Sequence, residues 1–345
     1  MKSSTLLFGI ASVLLPTLGH ASIWRVNNAP NNIYDADFQT INAAVQSVEV
    51  IAGDTLHIEA SEDTYGDASI TKRLVLIGTG FKLGANPGNP GLQANSNMST
   101  VNAITLGDLA DGSVICGLRF ASSGGGLILQ AVENITVMRC FFDAYPLAFD
   151  GAFSQSNITI KQCYFTGSIY EEDQGTAQSI SLITIANNII GGNILFDDAG
   201  DTFSAIVITN NIFTGGNSAF RGTTFQNNVL YNSGTSVSVG TDNSFLNNIA
   251  AGTIAWDLAD ENVNQVVMSN EFIGTGSDDM RFQLQSGSNY DDHATDGGQV
   301  GIFGGPYPWK PSGIPNIPTI YDLDVPATVL QGGQVNSTLS TRTND

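Results

Sequence analysis

Positive charge is what this chain most lacks. Its 345 residues carry 12 Lys and Arg against 32 Asp and Glu, a formal net charge of −20. Binding a phosphate backbone needs a basic face, so nucleic acid is excluded as a partner. Anionic polymers are repelled unless calcium or a local basic cluster intervenes. Histidine and cysteine are scarce, three of each, and no spacing among them suits zinc. Charged residues make up only 13% of the chain, a composition poor for long exposed helices and better suited to strands and tight turns. No apolar run reaches the roughly 20 residues that a spanning helix needs, so no membrane span is expected.

The longest apolar run, Leu6 to Leu18, is interrupted by Pro16. Lys2 precedes it, and Gly19-His20-Ala21 places small residues at −3 and −1 of a cleavage point. Residues 1–21 therefore read as a secretory signal peptide cut after Ala21. The expected location is outside the cell or on its surface, and no lipidation cysteine follows the cut.

Against these shortages stand 38 glycines and a spaced series of asparagine pairs. Asn187-Asn188, Asn210-Asn211, Asn227-Asn228 and Asn247-Asn248 are each followed by an apolar pair. Extending the second position gives one column: Leu118, Cys140, Cys163, Asn188, Asn211, Asn228, Asn248, Asn270. Its steps run from 17 to 25 residues. Three before each anchor stand Ile115, Val137, Ile160, Ile185, Ile208, Phe225, Phe245 and Val267. Two after it stand Phe120, Phe142, Phe165, Ile190, Phe213, Leu230, Ala250 and Phe272. Such a period marks a solenoid, and alternation broken by turns marks its strands. The expected fold is all-β, a right-handed parallel β-helix with three short strands per coil. Each Asn bonds the next along the stack and caps turn backbone groups. Cys140 and Cys163 are expected to be buried free thiols.

Three further segments frame the domain at 22–300. Residues 36–50 read as a cap built on a short amphipathic helix from Asp37 to Val45, covering the open first coil. Residues 82–100 read as a loop leaving an early coil, and 275–299 as polar turns closing the stack. Residues 301–345 form a Pro-rich tail with an extended path. One position past each anchor runs a second apolar stripe: Phe141, Tyr164, Ile189, Ile212, Val229, Ile249. If it faces outward, it needs a cover, and the tail is the expected one.

The opening (Phe38-Gln-Thr-Ile-Asn-Ala-Ala, Gly53-Asp-Thr, Thr64-Tyr65, Leu76-Ile-Gly78-Thr-Gly80) and the Asn-Asn-x-apolar coils resemble the pectate lyase/pectin esterase-like superfamily. The closing stretch Gly301 to Pro318 resembles the ends of secreted β-helix proteins of Bacteroidetes-type bacteria. Fold alone does not carry function. The resemblance implies a lyase, using a Lys or Arg base beside calcium-holding Asp residues, or a glycoside hydrolase, using several Asp. The basic candidates are Arg119, Arg139 and Lys161; Asp197-Asp198 is a bare acidic pair. Asp197, Asp198 and Asp201, and again Asp291, Asp292 and Asp296, are the candidate calcium ligands, since short Asp-rich loops offer hard oxygen donors. The esterase strand motifs are missing. With complete coils beside an incomplete catalytic set, a non-catalytic protein is expected, binding extracellular polysaccharide or a surface protein through a sheet face. A carbohydrate-active enzyme is the alternative.

Overall fold

The computed structural model describes residues 21–344 except 85–87, 122–124, 173, 176, 241, 327, 329, 330 and 332. The signal-peptide reading falls on residues 1–20, outside the described residues, with only Ala21 beyond them. From Ile23 the chain winds into a parallel β-solenoid. One sheet has 11 strands and two have eight. A typical coil contributes Thr136–Met138 to the first sheet, Phe141–Phe142 to the second and Leu147–Phe149 to the third.

The columns predicted from the repeat stack in register. Ile115, Val137, Ile160, Ile185, Ile208, Phe225 and Phe245 are successive partners across the first sheet. Phe120, Phe142, Phe165, Ile190, Phe213, Leu230 and Ala250 do the same across the second. Both columns point inward and form one continuous core. Phe120, Phe142 and Phe165 lie ring over ring, with centroids 4.6 and 4.4 Å apart, near the strand spacing that sets them.

The two asparagines of each pair divide the work of the turn. The first takes the left-handed conformation, with φ of 55°, 55°, 58° and 52° at Asn187, Asn210, Asn227 and Asn247, which Asn tolerates better than other side chains. The second points inward. Asn211 Oδ1 accepts from the Asn188 backbone N–H at 2.8 Å and from its side-chain amide at 3.0 Å. Asn228 serves Asn211 the same way, and Asn248 serves Asn228. At its upstream end the ladder meets Cys163, whose N–H donates to Asn188 Oδ1 at 2.8 Å. Cys116, Cys140 and Cys163 are all buried and free.

The ladder's downstream end corrects the repeat. Asn262, not Asn270, takes the next place: its Oδ1 accepts from Asn248 N–H at 3.1 Å and Nδ2 at 2.9 Å. The last step is only 14 residues long, shorter than the period allowed for. Asn270 sits exposed in a short helix, Met268–Glu271, and Val267 is 59% exposed. Phe272 is buried, but outside the coil.

At the amino-terminal end a short helix, Ile41–Gln46, packs on the first coil. Thr40 Oγ1 accepts from Ala43 N–H, fixing its start. Ile41, Ala44 and Val45 are buried in the solenoid core. Asn42 ties the helix to the first coil through Ser69 N–H and the Asp67 carbonyl.

The outward stripe of the second sheet is covered by the chain's own carboxy-terminal segment. Phe141, Tyr164, Ile189, Ile212, Val229 and Ile249 form a second apolar cluster with Val266, Met268, Phe272, Phe282, Val300, Ile302 and Trp309. The cover is thus longer than the Pro-rich tail. Residues 275–299, expected to close the stack, belong to it instead. The segment runs back along the turns, bonding the outermost residue of each in reverse order. Asn247 Nδ2 donates to the His293 carbonyl, Asn227 Oδ1 accepts from Thr295 N–H, and Asn187 Nδ2 donates to the Ile302 and Gly304 carbonyls. Gln162 donates to the Pro308 carbonyl and Arg139 to that of Ile314. At Gly117 (φ 70°) a side chain would run into Pro315. Beyond this strap, Thr319–Asp324 and Thr338–Arg342 form a separate antiparallel hairpin.

Candidate functional site

Arg139 and Lys161 line one cavity of about 370 Å³ beneath Pro306, Tyr307 and Asn316, and Arg119 lies outside it. Arg139 is 4% exposed; it donates to the Ile314 carbonyl at 2.8 Å and to Asn316 Oδ1 at 2.7 Å, pinning the strap. Lys161 lies 4.0 Å above the Tyr307 ring. Burial, then the nearby Arg139 charge, lowers its ammonium below the ordinary value. Arg119 pairs with Asp143 at 2.6 Å on the second sheet.

The acidic candidates serve turns. Asp198 Oδ1 accepts from Gly200 N–H, Asp201 Oδ1 from Gln178 N–H, and Asp296 Oδ1 from Gly298 N–H. Asp197, Asp291 and Asp292 are exposed. Among the described residues no three His, Cys, Asp or Glu side chains are grouped so that they could hold a metal ion. Asp is common in such turns for backbone reasons alone.

Larger concave surfaces lie on the outer face of the first sheet at its amino-terminal end. Two adjoining clefts of about 590 and 600 Å³ share Glu59, Ala60, Asn95 and Asn97, a size suited to a small ligand. The strand Thr55–Ile58 turns His57 outward by simple alternation, and Glu59 follows two residues on. The loop leaving the early coil brings Asn95 and Asn97 over them. The strap and hairpin supply a wall of Pro315, Ile317 and Ile320. Tyr34, 58% exposed, stands at the far rim.

Glu59 is held at the junction. Arg25 Nε donates to one carboxylate oxygen at 2.6 Å and Asn27 Nδ2 to the other at 2.8 Å. Its carbonyl accepts from the Tyr65 hydroxyl at 3.0 Å, so its backbone is also fixed. Burial pushes the carboxyl up, but the Arg25 and Asn27 hydrogen bonds and the Arg25 charge outweigh it and hold Glu59 below the usual carboxylate range. Burial lowers His57, against a smaller opposing pull from Glu59, which leaves the imidazole neutral at physiological pH. The clefts therefore present the Arg25–Glu59 ion pair, the Glu62 and Asp63 carboxylates, one neutral imidazole, several amides and an aromatic rim.

His57 was legible as one of few histidines but not as part of a site. The signal was the His57-x-Glu59 alternation in a strand whose other face is core. The cleft's remaining residues share no motif. No family model matches the chain, and comparison with curated proteins returned no match. Among the described residues no helix is long and apolar enough to cross a membrane.

Proposed function

We propose that this is an exported or cell-surface β-helix protein, akin in fold to the pectate lyase/pectin esterase-like superfamily, that binds an extracellular glycan without cleaving it. The observation that carries this reading is the amino-terminal cleft. Asn95, Asn97, Thr79 and His57 line it beside a fixed carboxylate, the donor and acceptor mixture that hydroxyl-rich ligands match. Tyr34 offers an aromatic face for a sugar ring. Glu59, with Glu62 and Asp63 on the same cleft, disfavours uronate chains, so neutral polysaccharides are the expected ligands.

The enzymatic reading draws on His57, a neutral imidazole in the same cleft. Glu59 is ill placed to act as a general acid, because both oxygens already accept hydrogen bonds and the group stays ionised. Purified protein incubated with neutral glucans, pectin, polygalacturonate, alginate and chondroitin, with and without calcium, separates the two. Binding without product is expected, strongest for a neutral glycan. Tyr34→Ala and Asn97→Ala are each expected to weaken it about tenfold, the equivalent of one lost contact. Turnover of any polymer would establish the enzyme reading, and affinity unmoved by both substitutions would remove the cleft as the site.

A further inference from the structure

One buried carboxylate lies where the expected cut would create a new amino terminus. Asp54 is 1% exposed, on the tight turn before Thr55–Ile58. It accepts from Ser22 N–H at 2.8 Å, Trp24 Nε1–H at 2.8 Å and Ile51 N–H at 2.9 Å. Ser22 is gripped from its other side too, since its carbonyl accepts from Thr55 N–H at 2.8 Å. Among the described residues no cation is in ion-pair contact with Asp54. The nearest positive groups are committed or displaced: Lys72 donates to the Ser47 and Val50 carbonyls, and Arg73 lies against Gly53.

We infer that Asp54 is the receiving site for the α-ammonium released when the leader is cut after Ala21. This rests on the export reading above. In the cut, water adds across the Ala21–Ser22 bond under a signal-peptidase-class protease. Its hydroxyl goes to the Ala21 carbonyl carbon and its hydrogen to the Ser22 nitrogen. The C–N bond breaks, and the new amine takes a second proton from solvent at neutral pH. A neutral N–H donor at 2.8 Å thereby becomes a charged one, and charge-assisted hydrogen bonds are about twice as strong. The buried carboxylate gains the partner it lacks, and the first strand is pinned at its first residue.

The pairing has a defined pH window. An α-amino group titrates near 8 when free. Pairing raises its folded value, so the stabilisation is complete below about pH 8 and is lost as pH rises through the folded value. At the acid end it is lost as pH falls through the Asp54 value. Burial pushes that value up, but the Ser22, Trp24 and Ile51 hydrogen bonds and the Lys72 charge bring it below the ordinary one.

The test compares two forms of the mature chain released from a cleavable fusion, one starting at Ser22 and one retaining a Gly-Ala extension before it. The Ser22 form is expected to melt about 3 °C or more above the extended form at pH 6–7. The gap should close in alkali and in the Asp54→Asn variant. If that variant does not fold, the pH dependence of the gap between the two natural-sequence forms decides instead. Equal melting at pH 6–7 overturns the pairing. N-terminal mass spectrometry of exported protein reads the cut separately. A first residue other than Ser22 overturns the processing step, while the two recombinant forms still decide whether Asp54 prefers an ammonium.

Discussion

Replacing Asn211 by alanine is expected to cost about 4 kcal/mol or more, since several fully buried groups lose their partners at once. Asn188 loses the acceptor for both its backbone and side-chain N–H. The Ile185 carbonyl loses the Asn211 amide, while the Thr209 carbonyl and Asn228 Oδ1 each lose one of two donors, keeping Asn187 N–H and Asn211 N–H. The column is closed to bulk solvent, as Asn188, Asn211 and Asn228 are 0% exposed. A cysteine at this position should cost less. In the upstream coils Cys163 Sγ already accepts from Cys140 N–H at 3.4 Å and reaches the Lys161 carbonyl at 3.3 Å, a weaker version of the same bridge. The expected order of urea midpoints is parent, Asn211→Cys, Asn211→Ala. An alanine variant within about 1 kcal/mol of the parent would show that the ladder is not a major source of stability.

The parts of the fold that repeat were legible, because stacking makes each coil restate the same inward positions. Ile185 and Phe213 needed only the period to be placed. The period failed where geometry shortened a step: Asn270-x-Phe272 imitates the motif, yet Asn262 occupies the rung. The covered stripe was legible only as a condition: Phe141 and Tyr164 sit beside inward residues, and the two-residue strands of the structure turn them out. What covers it was half read. The prolines announced an extended path, but nothing periodic marks Val266, Phe272 or Phe282 as part of the same strap.

The cleft was not legible for a different reason. Its residues come from positions as far apart as Arg25 and Leu323. They meet because the strap returns along the whole solenoid to the end where the chain began. That same return explains the fate of Arg139 and Lys161. Scattered cations on consecutive coils suggested a lyase base. A segment more than 140 residues later needed its carbonyls bonded, and Arg139 and Gln162 meet that need. Burial pushes the nearby Cys116 thiol up to about 12, so it too is an inert part of this covered surface.

Ending the chain after Gly305 should show how much the strap contributes. It removes Trp309, whose ring is 4% exposed between Phe81 and the buried carboxylate of Asp279. Losing the burial of an indole of that size costs about 4–6 kcal/mol by area. Asp279 also loses the Ser312 N–H donor at 2.7 Å, and Arg139 loses both acceptors on its Nη1. The damage should be local, because a coil in a solenoid depends mainly on the coils it touches. Val229 and Ile249 keep their cover from Val266 through Ile302, so amide exchange should quicken first around Phe81, Phe141 and Tyr164. Binding of a hydrophobic dye should rise with it, since these three aromatic rings form one contiguous patch. A truncated chain that melts with the parent, or one that loses protection evenly along all coils, would mean that the aromatic stripe is stable in water and that the strap merely lies against it.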